Sequence, residues 1–403
     1  MAYQRSLSGT FHQDWCYDRH ASEEQCSRAL NVRSIHRRSL TSHHDSARSY
    51  LPMTMYRYAF VLFVATSIKS VAFAASAYHS PWDAHPVKET SAAYSCPEPA
   101  HLPVDFVTDG FYADNDPTHS IIDPVKQKAY AESSGPVKRE GDLMVAAADE
   151  FRKTGSAQAA KCVLQHLEFQ AKEGALTGKM SSSQAYFVQG WVVGAEAIAY
   201  LKVGGPAKTT AAQRALILPW LEKVGAQTVK FYEDRAKESG GNRAQNHFYW
   251  AAVELAAIGI AANNPNDFDW AMQQAKAGIA SIRPDGTLAE EMRRGKRALH
   301  YHLYAASPLV MLAELGLANG VDLYAEHSGA LKKLIAISTT GLVDSSFFDK
   351  QTGIPQERPD PPTAEAIGWA EPYNRRFPDP VTTKLLAAAP SHSYMYLGGL
   401  PPQ

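Results

Sequence analysis

The sequence is short of cysteine and has no excess of either charge. Its 403 residues include 4 Cys, and 40 Lys and Arg nearly balance 41 Asp and Glu, which leaves a formal net charge of −1. So few cysteines exclude a small disulfide-stapled scaffold. The balanced charge argues against a surface that attracts nucleic acid, so we predict no nucleic-acid partner. A content of 45% hydrophobic and 10% aromatic residues excludes a wholly disordered chain.

Standard catalytic motifs are missing as well. The chain has no GxGxxG, GxxxxGK[ST], HExxH, GxSxG or CxxC. Dinucleotide or nucleotide chemistry, zinc proteolysis and the α/β-hydrolase triad therefore have no support in the sequence. His300 and His302 flank a tyrosine, but residues two apart on a helix point to different faces. We predict neither a metal site nor a cofactor.

The first 77 residues differ from the rest of the chain. Residues 1–52 are polar without an apolar period, and we interpret them as a non-native or disordered extension. Residues 53–77 begin with Met53 and Arg57, continue through the apolar stretch Tyr58–Ser67 and end in small residues, which predicts a secretory signal peptide. The apolar stretch is too short for a stable membrane span, although an uncleaved anchor is the alternative. We therefore expect a periplasmic or secreted protein.

The remaining residues, 78–403, are predicted to form one domain. Residues 1–77 hold 9 basic and 5 acidic residues, so their removal leaves a net charge of −5. Two cysteines stay, Cys96 and Cys162. An even pair in an exported protein suggests one disulfide, because export removes the chain from reducing thiol pools. Two buried free thiols are the alternative.

Residues from about 141 onward show a helical apolar period. Residues 78–140 and 344–403 are rich in proline and are predicted to be mostly loop. Apolar residues spaced three and four apart, with Gly and Pro at the joins, predict helices over Asp142–Lys153, Ala157–Glu173, Ser182–Val203, Ala211–Glu238, Asn246–Ala262, Asp267–Ile282, Ala289–Ala305, Pro308–Leu317 and His327–Ser338. Several are apolar nearly all round, which is typical of inner helices. The pattern indicates an all-α toroid or superhelix of antiparallel helix pairs.

Two segments combine polar and aromatic residues in a way that suits a cleft. Asn242–Trp250 leads from polar residues directly into a helix that is predicted to be buried. In Arg293–Tyr304, Arg294 and Tyr301 are seven residues apart, so on one helix they would share a face. Guanidinium and phenol groups on one face suit a polar cleft wall. A basic surface patch with tyrosine packed beneath it is the alternative.

These segments belong to a longer series of blocks that resembles the alginate lyases of polysaccharide lyase family 5. The order and spacing match over roughly residues 96–400, in QNHFYWA (Gln245–Ala251), FDWA (Phe268–Ala271), RRGKRALHYHLYA (Arg293–Ala305), NGVDL (Asn319–Leu323), HSGAL (His327–Leu331) and WAEPY (Trp369–Tyr373). The resemblance implies an exported enzyme with an incomplete α/α barrel. It also implies a bridge between Cys96 and Cys162, which lie where that family has a bridged pair.

The chemistry that the resemblance implies is β-elimination of an anionic polysaccharide. A proton leaves C5 of a uronate and the C4 oxygen departs, which requires donors that neutralise the neighbouring carboxylate. In the family pattern Asn246 donates its amide to that carboxylate, and His247 helps to neutralise it or acts as the base when the C5 proton lies on the opposite face. Arg294 matches the arginine seven residues before the catalytic tyrosine. Tyr301 matches the tyrosine that takes the C5 proton and returns one to O4. A free tyrosine has a pKa of about 10, so cationic neighbours are needed to favour its phenolate.

Contacts to the rest of the substrate are also suggested by the family pattern. Tyr112 resembles a lid tyrosine that reaches over the sugar. Gln189 falls where the family has an aromatic platform, with Trp191 two residues away, and this departure bears on the choice of substrate. Further subsite candidates are Trp250, Arg297 and Tyr304.

The leading interpretation is a monomeric polysaccharide lyase that prefers mannuronate-rich alginate. The same elimination on another polyuronate such as glucuronan is the first alternative, and a non-catalytic polyuronate-binding protein is the second. A glycosidase would need two apposed carboxylates, and nothing in the sequence pairs Glu290, Glu291 and Glu371.

Overall fold

The structure is a computed structural model that describes residues 77–403. The predicted extension and almost all of the predicted signal peptide lie outside the described residues. β structure within residues 77–403 is limited to isolated bridges. The described part consists mainly of eight long helices, α1 (Pro124–Thr154), α2 (Ala157–Glu173), α3 (Ser183–Lys202), α4 (Ala211–Glu238), α5 (Asn246–Ala262), α6 (Pro265–Ala280), α7 (Ala298–Leu317) and α8 (Glu326–Val343).

Local signals determine where these helices begin and end. The carboxylate of Asp123 accepts hydrogen bonds from two backbone N–H groups in the first turn of α1. The hydroxyl of Ser182 caps α3 in the same way. α1 ends at Gly155, which has a φ of 75° and lies so close to the carbonyl of Lys88 that a Cβ would overlap it. Glycine is therefore required where the N-terminal segment crosses this helix end.

The helices form an inner and an outer layer. α3, α5 and α7 are buried along almost their whole length, as their apolar character on all sides predicts. α1, α3, α5 and α7 pack side by side in that order. α2 packs against α1 and α4, and α8 packs against α6 and α7, so helices of the two layers alternate along the chain. This arrangement is an incomplete α/α barrel.

The C-terminal segment, residues 344–403, packs against the helical layers. It contains the short helices Ser346–Thr352, Ala370–Arg376 and Pro380–Ala388, so the prediction that it is mostly loop is wrong in these stretches. Residues 364–368 contact α7, and residues 395–397 contact α3 and α1. Buried Lys202 holds this segment, because its ammonium group donates to the carbonyl oxygens of Gly398 at 2.7 Å and Leu400 at 3.1 Å and pairs with Asp149. The segment thereby brings Tyr394 and Tyr396 against the inner helices.

Two stretches differ from the predicted helices. α1 begins at Pro124, not near residue 142, because a polar first half with an internal proline, Pro136, conceals the helical period. The predicted helix over residues 289–305 is wrong in its middle. A single turn, Ala289–Met292, and a 3₁₀ turn, Gly295–Arg297, precede α7, and Gly295 has a φ of 54°. α7 then continues through Pro308 without a break.

A disulfide ties the N-terminal loop to the helical domain. Cys96 and Cys162 are bonded, with their Cα atoms 5.5 Å apart, which confirms the predicted pairing. The bond joins residues 66 positions apart, so it fastens the segment before α1 onto α2. Among residues 77–403, none of the helices has both the length and the apolar character that crossing a bilayer requires.

Candidate active site

Tyr301, near the start of α7, lies at the centre of the candidate site. Its hydroxyl is 2.7 Å from the hydroxyl of Tyr112, and Arg297 donates from Nη1 to the same Tyr112 oxygen at 2.5 Å. The guanidinium carbons of Arg294 and Arg297 lie 4.5 Å and 5.4 Å from the Tyr301 ring centre. Two phenols and two guanidinium groups therefore meet at one point.

The predicted proximity of Arg294 to Tyr301 has a different structural cause from the one the spacing suggested. The two residues do not share a helix, because Arg294 precedes the left-handed turn at Gly295. This turn carries Arg294 back over the ring of Tyr301. The prediction that Arg294 lies near Tyr301 is therefore correct, but the shared helix on which it was based is not present.

Asn246 and His247 enter the site from the first turn of α5. Asn246 is buried, and its amide nitrogen donates to Glu291 Oε1 at 2.9 Å. The second hydrogen of that nitrogen stays available to a ligand. Asn246 Oδ1 and His247 Nδ1 are buried without a hydrogen-bond partner among the described residues. Buried polar atoms are normally hydrogen-bonded, so these two atoms are candidates for contacts with a substrate.

Glu291 connects the two halves of the site. Besides its bond to Asn246, its Oε2 lies 3.7 Å from Arg294 Nε. Burial raises the pKa of the Glu291 carboxyl, while Arg294 and the amide of Asn246 oppose that rise. The sequence showed this carboxylate only as an unpaired glutamate, because its partners come from segments 3 and 45 residues away.

The electrostatics of the site favour a neutral imidazole at His247 and a protonated phenol at Tyr301. Burial lowers the pKa of His247 well below its usual value, and nearby Arg235 and Arg294 lower it further. Burial raises the pKa of Tyr301, as does the neighbouring Tyr112. Arg294 and Arg297 act in the opposite direction and favour the phenolate, as the sequence predicts, but burial is the larger effect.

The loop between residues 111 and 123 presents Tyr112 to the site. Its ends are joined by hydrogen bonds from Asp123 N to the carbonyl of Phe111 and from Ala113 N to that of Ile121, each 3.0 Å. Inside the loop, the carboxylate of Asp116 accepts from three backbone N–H groups and one hydroxyl. These bonds lower the pKa of Asp116 to about 2 against the effect of burial. A folded loop therefore carries the tyrosine that the family pattern assigns to a lid.

Gln189 does not reach the candidate site. It is 0% exposed, and its amide nitrogen donates to the carbonyl of Leu176 at 2.7 Å and to Gln227 Oε1 at 3.2 Å. We therefore withdraw its prediction as a substrate contact. Phe187, two residues earlier on α3, instead stacks on His247 with ring centres 3.7 Å apart. The sequence analysis overlooked it because its apolar side chain fits an ordinary inner helix.

The other predicted contacts form an aromatic layer next to these residues. Trp191 stacks on Tyr396 at 5.0 Å and lies 6.4 Å from His247. The rings of Trp250 and Tyr304 have centres 4.9 Å apart. Trp250 is only 2% exposed, so it is a packing residue behind Tyr304 and not a surface contact. Tyr304 also lines a cavity of about 170 Å³, together with His300 and Glu365.

Basic residues in the segments Asn242–Trp250 and Arg293–Tyr304 could make a positive groove for an anionic chain, but carboxylates pair with several of them. Arg243 makes a two-pronged pair with Glu233 at 2.7 Å and 2.8 Å. Glu357 pairs with Lys296 at 2.7 Å and lies 3.8 Å from Arg297. These carboxylates offset part of the positive charge, so the surface around the candidate site is less positive than its basic residues alone indicate. The basic residues that approach Tyr301 are Arg294 and Arg297.

One group of potential metal ligands occurs in residues 77–403, away from Tyr301. It consists of Cys96, Cys162 and His166. Both sulfur atoms of this group are used by the disulfide. His166 is engaged by the buried carboxylate of Glu140 at 2.6 Å. The group is therefore better explained as part of the structural support around the disulfide.

The fold and the site together define an α/α-barrel protein with phenol, imidazole, carboxamide and guanidinium groups in one cleft. The alginate lyase family matches residues 111–348 of the chain. A polysaccharide lyase of Stenotrophomonas maltophilia is 35% identical over 294 residues, which cover 72% of this chain and 84% of that protein. An alginate lyase of Azotobacter vinelandii is 31% identical over 267 residues, 65% of this chain and 70% of its own.

Solved structures show the same architecture. Alginate lyase A1-III from Sphingomonas species A1 aligns with a TM-score of 0.64 and 23% identity, over 79% of this chain and 88% of that one. A variant of A1-III complexed with a tetrasaccharide aligns with the same TM-score and 22% identity, over 79% and 87%. The predicted all-α barrel is confirmed. The chain belongs to the alginate lyase family, and it is a polysaccharide lyase.

Proposed function

We propose that the protein cleaves mannuronate-rich alginate by β-elimination, with Tyr301 as the group that moves the proton. The observation that carries the proposal is the position of Tyr301, whose ring lies beneath Arg294 and whose hydroxyl meets that of Tyr112. The family and its relatives support alginate as the polymer. The preference for mannuronate is our inference.

The first requirement is to weaken the hold of C5 on its proton. In this proposal Asn246 and Arg294 bind the uronate carboxylate, and the contacts of both with Glu291 support that role. Positioned donors stabilise the negative charge that spreads into this carboxylate when the proton leaves. Because the pKa of His247 is depressed, its imidazole stays neutral, so it helps by hydrogen bonding and not by charge.

The elimination then follows a balanced course. Burial opposes loss of the Tyr301 proton and Arg294 and Arg297 ease it; once formed, the phenolate takes the proton from C5. The C5–H electron pair forms the C4=C5 double bond and the C4–O4 bond breaks. The phenol returns its proton to O4, which restores the phenolate. The products are a chain with an unsaturated non-reducing-end uronate and a chain with a free O4 hydroxyl.

One tyrosine can serve as base and acid only when the C5 proton and O4 lie on the same side of the sugar. Mannuronate meets this condition. Guluronate presents C5–H on the opposite face, where neutral His247 would have to be the base. Tyr301 contacts Tyr112 and lies close to Arg294, and Arg297 binds the same Tyr112 hydroxyl. These contacts support a mechanism in which Tyr301 alone is both base and acid.

A comparison of polymers tests the proposal. Purified protein is incubated with polymannuronate, polyguluronate and glucuronan, and ultraviolet absorbance reports the unsaturated product. We expect the fastest rise on polymannuronate. A faster rise on glucuronan would keep the Tyr301 chemistry but replace the substrate, and reducing sugar without ultraviolet absorbance would indicate hydrolysis and refute the mechanism.

We also propose that the enzyme acts in the periplasm or outside the cell. The disulfide between Cys96 and Cys162 supports this, because such bonds persist in oxidising compartments. Fractionation of the native organism tests it. Enzyme that remains in the cytoplasm with both thiols free would contradict it.

A further inference from the structure

Arg235, in the last turn of α4, is a cation beside the site whose nearby carboxylates are engaged elsewhere. Its Nε is buried and has no hydrogen-bond partner among the described residues. Of the neighbouring acids on α4, Glu233 pairs with Arg243, and Asp234 pairs with Lys230 and Lys237. A buried donor without an acceptor is costly, so it indicates a place where a ligand supplies one.

The guanidinium of Arg235 lies near the aromatic ring that stacks on His247. Its carbon lies 5.9 Å from the ring centre of Phe187, the same ring that stacks on His247 at 3.7 Å. Both Arg235 and Arg294 lie close enough to His247 to lower the pKa of its imidazole. Arg235 therefore lies on the His247 side of the site, beyond the group of residues around Tyr301.

Further aromatic rings adjoin Phe187, the ring that Arg235 contacts. Tyr186 and Phe231 stack face to face with ring centres 4.1 Å apart and planes 11° apart, and both are partly exposed. Phe231 lies 6.3 Å from Phe187, so the rings form a short series from the surface to His247. Exposed rings that adjoin a cation can contact the C–H face of a sugar while the cation binds its acid group.

We propose that Arg235, with Phe187 and the Tyr186–Phe231 pair, forms a subsite for a second uronate of the substrate chain. This inference rests on the proposed function. A polyuronate carries one carboxylate on each sugar, so a chain held at Asn246 and Arg294 brings another carboxylate to the neighbouring position. The planar fork of a guanidinium fits a carboxylate with two parallel hydrogen bonds.

The last turn of a helix also favours a basic residue for electrostatic reasons, which is the competing explanation for Arg235. Lys237 occupies the same turn, is exposed and pairs with Asp234 at 3.0 Å. It is therefore a matched control that has the helix-end position without the contact to Phe187. A role at the helix end alone would give both residues the same small effect.

The test is a binding series with oligomannuronates of two to six sugars. Titration calorimetry in a Tyr301→Phe background prevents turnover, and each added sugar that finds a subsite raises the affinity. We expect Arg235→Ala to remove one of these increments, a loss of about tenfold for the longer oligomers, which is the scale of one charge-assisted hydrogen bond. The shortest ligand that binds and the Lys237→Ala control should be unaffected. Methyl-esterified oligomers should bind equally well with and without Arg235.

Two results would overturn the subsite. Unchanged affinity of Arg235→Ala at every length is one, and an equal loss at every length, including the shortest, is the other. If Arg235→Ala does not fold, two other variants replace it. Arg235→Lys keeps the charge but lacks the planar guanidinium, and Phe231→Ala removes one ring of the stacked pair. The same two results would overturn the subsite in either variant. Failure of the proposed function is a separate result, because the unsubstituted enzyme would then release no unsaturated product from polymannuronate.

Discussion

Replacement of Glu291 should damage both the stability and the rate of the enzyme. The side chain is 1% exposed, accepts from Asn246 at 2.9 Å and lies 3.7 Å from Arg294 Nε. Alanine would leave a buried amide and a mostly buried guanidinium without a partner. Loss of one partner of a buried pair lowers the free energy of unfolding by about 3–5 kcal/mol. We expect about 3 kcal/mol here, because the Arg294 side chain is 21% exposed and water can solvate part of it.

The catalytic rate of the folded Glu291→Ala variant should also fall, beyond any loss that comes from unfolded protein. Both proposed carboxylate-binding groups lose their anchor, so we expect kcat/KM of Glu291→Ala to fall about 100-fold, equivalent to about 2.7 kcal/mol of transition-state stabilisation. Glu291→Gln keeps an acceptor oxygen for Asn246 and should lose less in both respects.

Denaturant unfolding and product-formation kinetics of the same preparations measure the two effects. Glu290→Ala is the matched control, because this neighbouring carboxylate pairs near the surface with Arg293 at 3.2 Å. It should resemble the unsubstituted enzyme. If Glu291→Ala unfolds at the same denaturant concentration and keeps its kcat/KM, Glu291 does not position the site.

Three further perturbations test other parts of the account. Replacement of Cys96 and Cys162 by alanine should lower the free energy of unfolding by roughly 4 kcal/mol in the chain-entropy model, with activity of the folded fraction retained; unchanged unfolding would contradict this. Asp116→Asn should loosen the loop that carries Tyr112, seen as faster proteolysis between residues 111 and 123 and about tenfold lower kcat/KM, and equal cleavage rates would refute it. Because the pKa of His247 is depressed, kcat/KM should show no limb near pH 6.5 and should rise toward alkaline pH as Tyr301 loses its proton; a limb near 6.5 that His247→Ala removes would contradict the assignment.

Much of the helical architecture could be predicted from the sequence. The helical period and the punctuating glycines gave Ala157–Glu173, Ala211–Glu238 and Asn246–Ala262 with the bounds that the structure has. Their apolar faces are continuous and their ends carry strong stop signals, so local patterns are sufficient. The first half of α1 was missed because it is polar and contains Pro136, so its sequence lacks the apolar period that predicts a helix.

The candidate site divides in a similar way. Tyr301, Asn246, His247 and Arg294 were predicted as a group and lie in one site, although their roles stay predictions. The links among them depend on residues far apart in the chain. Glu291 contacts Asn246 across 45 positions, and Tyr112 contacts Tyr301 across 189. Side-chain contacts of that separation depend on the tertiary fold, and spacing along the sequence does not encode them.

The most direct test of the central claim is the rate of unsaturated product formation from polymannuronate by the Tyr301→Phe variant. The account predicts a loss of about 100-fold or more in kcat, since a general acid–base group contributes about 10²–10⁴. Binding of oligomannuronate should be largely retained, and Tyr94→Phe, which removes a hydroxyl elsewhere, should have full activity. Turnover by Tyr301→Phe at the rate of the unsubstituted enzyme would show that another group moves the proton.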